Sequence, residues 1–315
     1  MNEPTAAPDL LERRLVLVTG KGGVGKSSVS AALAVAAEKR GKRVLLVELG
    51  ARPVMGELLG GTTPKHKPAA IASERHPQLF VCHLDPRRAL QEYLVEAIKV
   101  RSLARLATEN RVLARLWQAA PSVDEMSILT ALERHEKSRD ENGPLYDLII
   151  VDMPATGHAK TMLAVPSGAL AMIRVGSMAD RARQVDILLR DSEKTAVVIV
   201  TLPEELPINE SVELAHALEE ELDLDTAAVV VNAVLPRIYD EHERTLIAQL
   251  AESLEDSAGR KLLEAATHTS ARQEAEAARI EKLHDRLDTK FIEIAYDAAQ
   301  GSGLVEHMAD TLRGG

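Results

Sequence analysis

The sequence predicts an α/β protein, a mostly parallel sheet flanked by helices. Three observations predict it. Seven short apolar runs recur along the 315 residues, at 15–19, 44–48, 79–84, 148–152, 196–201, 228–232 and 291–294. Most are hydrophobic without alternation, as expected of strands covered on both faces. Between them lie segments such as 27–40 and 207–222, whose apolar residues fall three or four apart, the period of a helix packed on one side. Strand and helix signals follow one another in the order that builds crossover connections and a parallel sheet.

Two stretches break the alternation. Residues 86–138 contain no strand signal but carry helical spacing in Leu90, Leu94 and Ile98, and again in Leu113, Leu116 and Trp117. Behind Pro121, Ser122 and Glu125 have the spacing of a capping box at the start of another helix. Residues 239–287 are rich in Ala, Glu and Arg and are also helical in pattern. Both read as helical insertions, at about 86–140 and 237–288, on one side of a single domain covering 1–315. Gly60-Gly61 and Asn142-Gly143-Pro144 read as turns.

Composition excludes several classes of function. A net charge of −10 repels polyanions, so no nucleic acid is expected as a partner. Aromatic residues make up only 2 %, too few for a base-stacking platform. Cys82 is the only cysteine, which excludes an internal disulfide and a multi-cysteine metal site. No run approaches the ~20 apolar residues of a membrane span. The opening MNEPTAAPDLLERR reads as a loose leader without the pattern of a signal peptide, and the expectation is a cytoplasmic protein. His135, His216, His242, His268 and most other histidines read as surface residues; His158 stands apart because it lies in a motif.

The strongest chemical signal is Gly20-Lys21-Gly22-Gly23-Val24-Gly25-Lys26-Ser27-Ser28, between the first strand and the first crossover helix. This is the setting a P-loop requires. Glycines let backbone N–H groups crowd around phosphate oxygens, and the helix start adds its positive end. Gly22, Gly23, Val24, Gly25, Lys26, Ser27 and Ser28 are therefore the candidate phosphate cradle. Lys26 supplies a positive charge and Ser27 a hydroxyl for Mg2+. Asp152, closing the apolar run before it, is placed to hold that Mg2+ through water. The cofactors read from these residues are ATP and Mg2+.

With Lys21 included, the loop resembles the deviant P-loop of a class of dimeric ATPases. The class covers septum-positioning and plasmid-partition ATPases, the nitrogenase iron protein, and the arsenical-pump and tail-anchored-protein-targeting ATPases. Asp152-Met153-Pro154-Ala155-Thr156-Gly157-His158 resembles the switch of this last branch. So do His83-Leu84-Asp85-Pro86 with Glu92-Tyr93, Pro121 to Glu125, and Thr201-Leu202-Pro203-Glu204. Val230-Val231-Asn232 through Pro236 is similar to the branch's adenine-contacting strand end, with Asn232 as base ligand. Asp297 lies in the loop that closes over the adenine. Read without the resemblance, Asn232 and Asp297 fit a strand cap and a turn residue. The resemblance implies a P-loop NTPase fold, ATP hydrolysis, and a two-fold dimer in which Lys21 reaches the facing subunit's nucleotide. It also implies a hydrophobic protein client.

Three departures qualify what the resemblance implies. Gly50 occupies the position where the family's first switch carries the aspartate that orients the attacking water. Glu48, two residues earlier, is the candidate substitute, beside Lys21, Lys26 and Asp152 in the catalytic set. A single cysteine removes both the zinc clip of many targeting members and the arsenite ligands of the pumps. In the 86–138 insertion only Met126 offers the flexible methionine surface that suits a client groove. The expectation is thus a slowly hydrolysing dimeric switch ATPase, as a homodimer or with a paralogue. Its alternatives are a nucleotide-binding regulatory subunit paired with an active paralogue, and a partition or positioning ATPase.

Overall fold

The computed structural model describes residues 8–50, 52–71, 75–98, 122–253 and 257–314. Leu113, Leu116, Trp117 and Pro121 lie outside them, as does Ala51. Eight strands form one sheet in the order β10-β9-β8-β1-β7-β2-β4-β3. They are β1 (Leu15–Gly20), β2 (Val44–Glu48), β3 (Ala69–Ala70), β4 (Leu79–His83), β7 (Leu148–Asp152), β8 (Thr195–Thr201), β9 (Thr226–Val234) and β10 (Lys290–Ala295). Every neighbouring pair is parallel except β3 with β4. The seven apolar runs are seven of these strands. β3 escapes the sequence pattern because two residues carry no periodicity. So does the hairpin β5 (Arg139–Asp140) with β6 (Gly143–Pro144), whose second strand occupies part of the expected turn.

Side chains of each strand alternate between two apolar layers. Leu15 and Leu17 belong to one buried cluster, Val16 and Val18 to the other. The second layer holds α1 (Pro8–Leu11), α2 (Lys26–Glu38), α3 (Met55–Leu58) and the last described helix, Gly301–Gly314. Leu10 and Leu11 are buried there, so the expected loose leader is anchored at these two residues. The first layer holds α4 (Pro86–Ile98), α5 (Val123–Lys137), α6 (Thr156–Met172), α7 (Ser177–Arg190) and α8 (Glu205–Leu222). It also takes the end of α10 (Ser257–His284), which follows α9 (Glu241–Ser253). Tyr93, Met126 and Leu129 of one helical insertion and Ile280 and Leu283 of the other share this cluster. The last helix, α11 (Gly301–Gly314), buries Val305, Met308, Ala309 and Leu312, and it packs on α2.

Two local expectations are corrected. Ser122 has φ 71, a left-handed backbone, and its side chain caps nothing, whereas a capping box needs an extended N-cap residue to aim its hydroxyl at the helix. Glu125, freed from that box, lies 3.9 Å from His158. The histidines are not all on the surface either. His66 and His76 are buried, and His76 stands between Glu38 (3.0 Å) and Glu306 (3.2 Å). Burial, with Arg134 and His66 nearby and against the pull of Glu92, pushes the His135 imidazole down to about 4. Among the described residues no helix is long and apolar enough to cross a membrane.

Gly20 closes β1 at φ 146, and a Cβ there would stand 2.1 Å from the Val200 carbonyl oxygen of β8. Gly20→Ala is therefore expected to push β1 and β8 apart. It should lower the unfolding free energy by about 2–3 kcal/mol in urea titrations followed by circular dichroism.

Candidate nucleotide site

The site sits where β1, β7 and β2 end side by side. Gly25 closes the loop after β1 with φ 93, and α2 begins at the next residue. A Cβ on Gly25 would lie 2.2 Å from Nδ2 of Asn232, so this position admits only glycine. The first turn of α2 contains no acidic residue of its own to offset the helix's positive end. Gly22 and Gly23 are exposed and Val24 is buried beneath them, so the loop presents backbone rather than side chain to solvent.

Lys26 is half-buried, and its Nζ donates to the Lys21 carbonyl at 2.9 Å. Burial pushes its ammonium below the usual lysine range, while Asp152 pulls the other way. Lys21 itself forms an ion pair with Glu210 of α8 at 2.6 Å. Ser27 Oγ donates to Asp152 Oδ2 at 2.6 Å. Asn232, at the end of β9, donates from Nδ2 to the Val24 carbonyl at 2.9 Å. The structure thus gathers Lys21, Lys26, Ser27, Asp152 and Asn232 around one loop. Asp297 is engaged elsewhere: one oxygen accepts from Ala299 N at 2.8 Å and the other lies 2.5 Å from His307 Nδ1. Those two partners hold its carboxyl below the usual range.

Glu48 joins the cluster through strand register, because it stands directly opposite Asp152 in the β2–β7 pair. It is 1 % exposed, and one oxygen accepts from Val54 N at 2.5 Å. Its other oxygen, Oε2, is buried without a hydrogen-bond partner, and so is Oδ1 of Asp152. Burial raises both carboxyls above their ordinary values. Val54, Met55 and His83 offset it at Glu48, and Ser27 and Lys26 at Asp152. Two neighbouring acids with unsatisfied oxygens beside a serine hydroxyl form a hard oxygen donor set, the kind that suits Mg2+. The residues present therefore fit the ion the sequence implies.

β2 ends at Glu48, so residue 50 does not continue its alternation. The Gly50 carbonyl lies 2.6 Å from His83 Nε2, and because a carbonyl only accepts, that nitrogen carries the proton. A Cβ at Gly50 would meet nothing nearer than Arg52 O at 3.6 Å, and Arg52 is exposed. The sequence offered no sign of Glu210. Its partnership with Lys21 follows from β1 and β8 being adjacent, which puts α8 beside the loop.

The switch residues that follow Asp152 lead into α6, one face of which, from Lys160 to Met172, borders an apolar cavity of about 780 Å³. Tyr93, Met126, Ala164, Met172, Ile173 and Met178 line it, and Met172 is 87 % exposed. The count of methionines in the 86–138 insertion understated this surface, since Met172 and Met178 arrive from α6 and α7.

Comparison with known proteins agrees with the geometry. The sequence profile of a family described as anion-transporting ATPase matches residues 13–178 and 169–254. A protein of Mycobacterium tuberculosis called ATPase BagA is 31 % identical over 246 residues, covering 78 % of this chain and 71 % of its own. A putative arsenical pump-driving ATPase of Halobacterium salinarum is 27 % identical over 78 % of this chain and 39 % of its own. The ATPase GET3 of Mycosarcoma maydis is 26 % identical over 74 % of this chain and 76 % of its own.

Because the Glu48 and Asp152 carboxyls titrate higher in the folded protein than in the unfolded chain, the folded state holds more protons. Its stability therefore falls as pH rises above the ordinary carboxylate range. At neutral pH the pair is a net cost in the metal-free protein. Glu48→Gln, which keeps an acceptor for Val54 N, is expected to raise the metal-free Tm at pH 7.5 by a few degrees, at about 2–4 °C per kcal/mol. The gain should vanish as pH falls towards 4. Scanning calorimetry across that range checks both the sign and the pH dependence.

Proposed function

The chain belongs to the anion-transporting ATPase family, and from that premise we propose that it is a slowly hydrolysing ATP switch whose copies close face to face around MgATP. The observation that carries the proposal is the meeting of Lys26, Ser27, Asp152 and Glu48 at the start of α2. Backbone N–H groups from Gly22 to Ser28 take the phosphate oxygens, and Lys26 exchanges the Lys21 carbonyl for phosphate. Ser27 and Asp152 hold the magnesium, with Glu48 beside them. When bound, the ion would neutralise charge that develops on the phosphates. Asn232 and the loop containing Asp297 receive the adenine, and Lys21 reaches the nucleotide of the facing subunit.

Hydrolysis also needs a group that positions water. The family's aspartate is Gly50 here, so turnover is slow unless Glu48 takes the role. A regulatory subunit that binds nucleotide and pairs with an active paralogue is the second reading, favoured by Gly50. A partition or positioning role is weaker, because α11 is packed onto α2 rather than free to meet another surface. α6 joins the switch at Asp152–His158 to the methionine-lined cavity, and His158 faces Glu125 of α5. Nucleotide state is thereby coupled to the shape of an apolar surface suited to a hydrophobic protein segment.

Lys26→Ala is expected to weaken MgADP binding more than about a hundredfold in isothermal calorimetry, since it removes the loop's buried charge. Unchanged affinity would sink the nucleotide assignment. In single-turnover assays wild type should be slow and Gly50→Asp faster, on the order of ten- to a hundredfold. The open space around Gly50 makes that substitution tolerable. Fast wild-type turnover that collapses in Glu48→Gln would instead name Glu48 as the water-positioning group.

A further inference from the structure

Both lysines of the phosphate loop are held on protein groups. Lys26 rests on the carbonyl of residue 21, and the side chain of the same residue 21 is paired with Glu210 at 2.6 Å. Glu210 is in the second turn of α8, which follows β8, the strand paired in parallel with β1. Neither Lys21 nor Glu210 is deeply buried, with side-chain exposures of 29 % and 32 %. An ion pair in that setting is weak enough to be exchanged for a better partner. Three features combine here: an amine with no phosphate role in its own loop, a carboxylate directed at it from a neighbouring helix, and a shared residue joining that pair to Lys26.

We propose that Glu210 is a latch that holds Lys21 within its own subunit and opposes closure of the dimer until nucleotide arrives. This rests on the reading that Lys21 acts across the interface. An amine held at 2.6 Å by Glu210 has its charge already paired, so closure on a facing subunit's nucleotide competes with the latch in each copy. Nucleotide entry favours release, because phosphate draws Lys26 away from the Lys21 carbonyl and removes the bond that steadies residue 21. Two-fold symmetry doubles the effect. An exposed pair costs about threefold to break, and two latches per dimer make about tenfold in the dimer dissociation constant.

The test is sedimentation velocity with magnesium and a non-hydrolysable ATP analogue on wild type, Glu210→Gln, Lys21→Ala and the double variant. MgADP calorimetry on each confirms that the nucleotide site is folded. Glu210→Gln is expected to tighten the dimer about tenfold at low salt, with the gain shrinking as salt screens the wild-type pair. Glu210→Ala should shift it in the same direction. In the Lys21→Ala background the Glu210 substitution should have no effect, which a merely structural role for Glu210 would not produce. A dimer equally strong in wild type and Glu210→Gln overturns the latch and leaves the dimer reading standing. So does a Glu210→Gln gain that persists without Lys21. If neither wild type nor Glu210→Gln dimerises, the dimer reading fails and the latch fails with it.

Discussion

Asp152 stands level with Val18 of β1 on one side and with Glu48 of β2 on the other. In a parallel sheet the strands end at one edge, so the loop leaving β1, the acid closing β7 and the acid closing β2 emerge together. From this register follow the Ser27–Asp152 hydrogen bond, the adjacency of the two buried carboxylates and the start of α6 directly after Asp152. A shift of one residue between β2 and β7 would turn Glu48 to the opposite face and dissolve the donor set. The buried apolar runs on both faces are what hold the register.

Without ligand the site is a place of unmet charge. Two acids keep oxygens buried without partners, a lysine is desolvated, and the first turn of α2 carries no acid of its own. Each of these costs stability in the empty protein, and an anion with a divalent cation would offset it. The parked lysines fit the same pattern. A loop built to be filled by phosphate rests, when empty, on the nearest carbonyl and the nearest carboxylate.

The apolar cavity lies along one face of α6 and answers to different physics. Its walls come from five helices, α4 to α8, and exposed methionine at its rim provides a surface that can repack around different shapes. A helix of 17 residues is about 25 Å long, and α6 runs from the residues after Asp152 to the cavity rim at Met172 with no loop between them. Pro166, inside this helix, removes one backbone hydrogen bond along that path and marks a place for it to bend.

Much of the fold was legible along the chain because it depends on local periodicity. Continuous apolar runs become parallel central strands, and residues three or four apart become helices that cover them. The phosphate loop was legible for the same reason: its glycines, Lys26 and Ser27 are consecutive and need only a strand before and a helix after. Other features required the third dimension. Glu48 belongs with Asp152 only through the β2–β7 register, across more than a hundred residues of chain. Glu210 meets Lys21 only because β8 lies beside β1, and Met172 and Met178 join Met126 only where α5, α6 and α7 converge. Ser122 has the right neighbours for a capping box, yet tertiary packing places it in a left-handed conformation that forbids one. The sequence pattern placed the histidines on the surface, but burial of His66 and His76 was settled by which elements pack over them. The sequence by itself determined what is set by neighbours along the backbone, and only the tertiary structure decided which distant charges and side chains share a space.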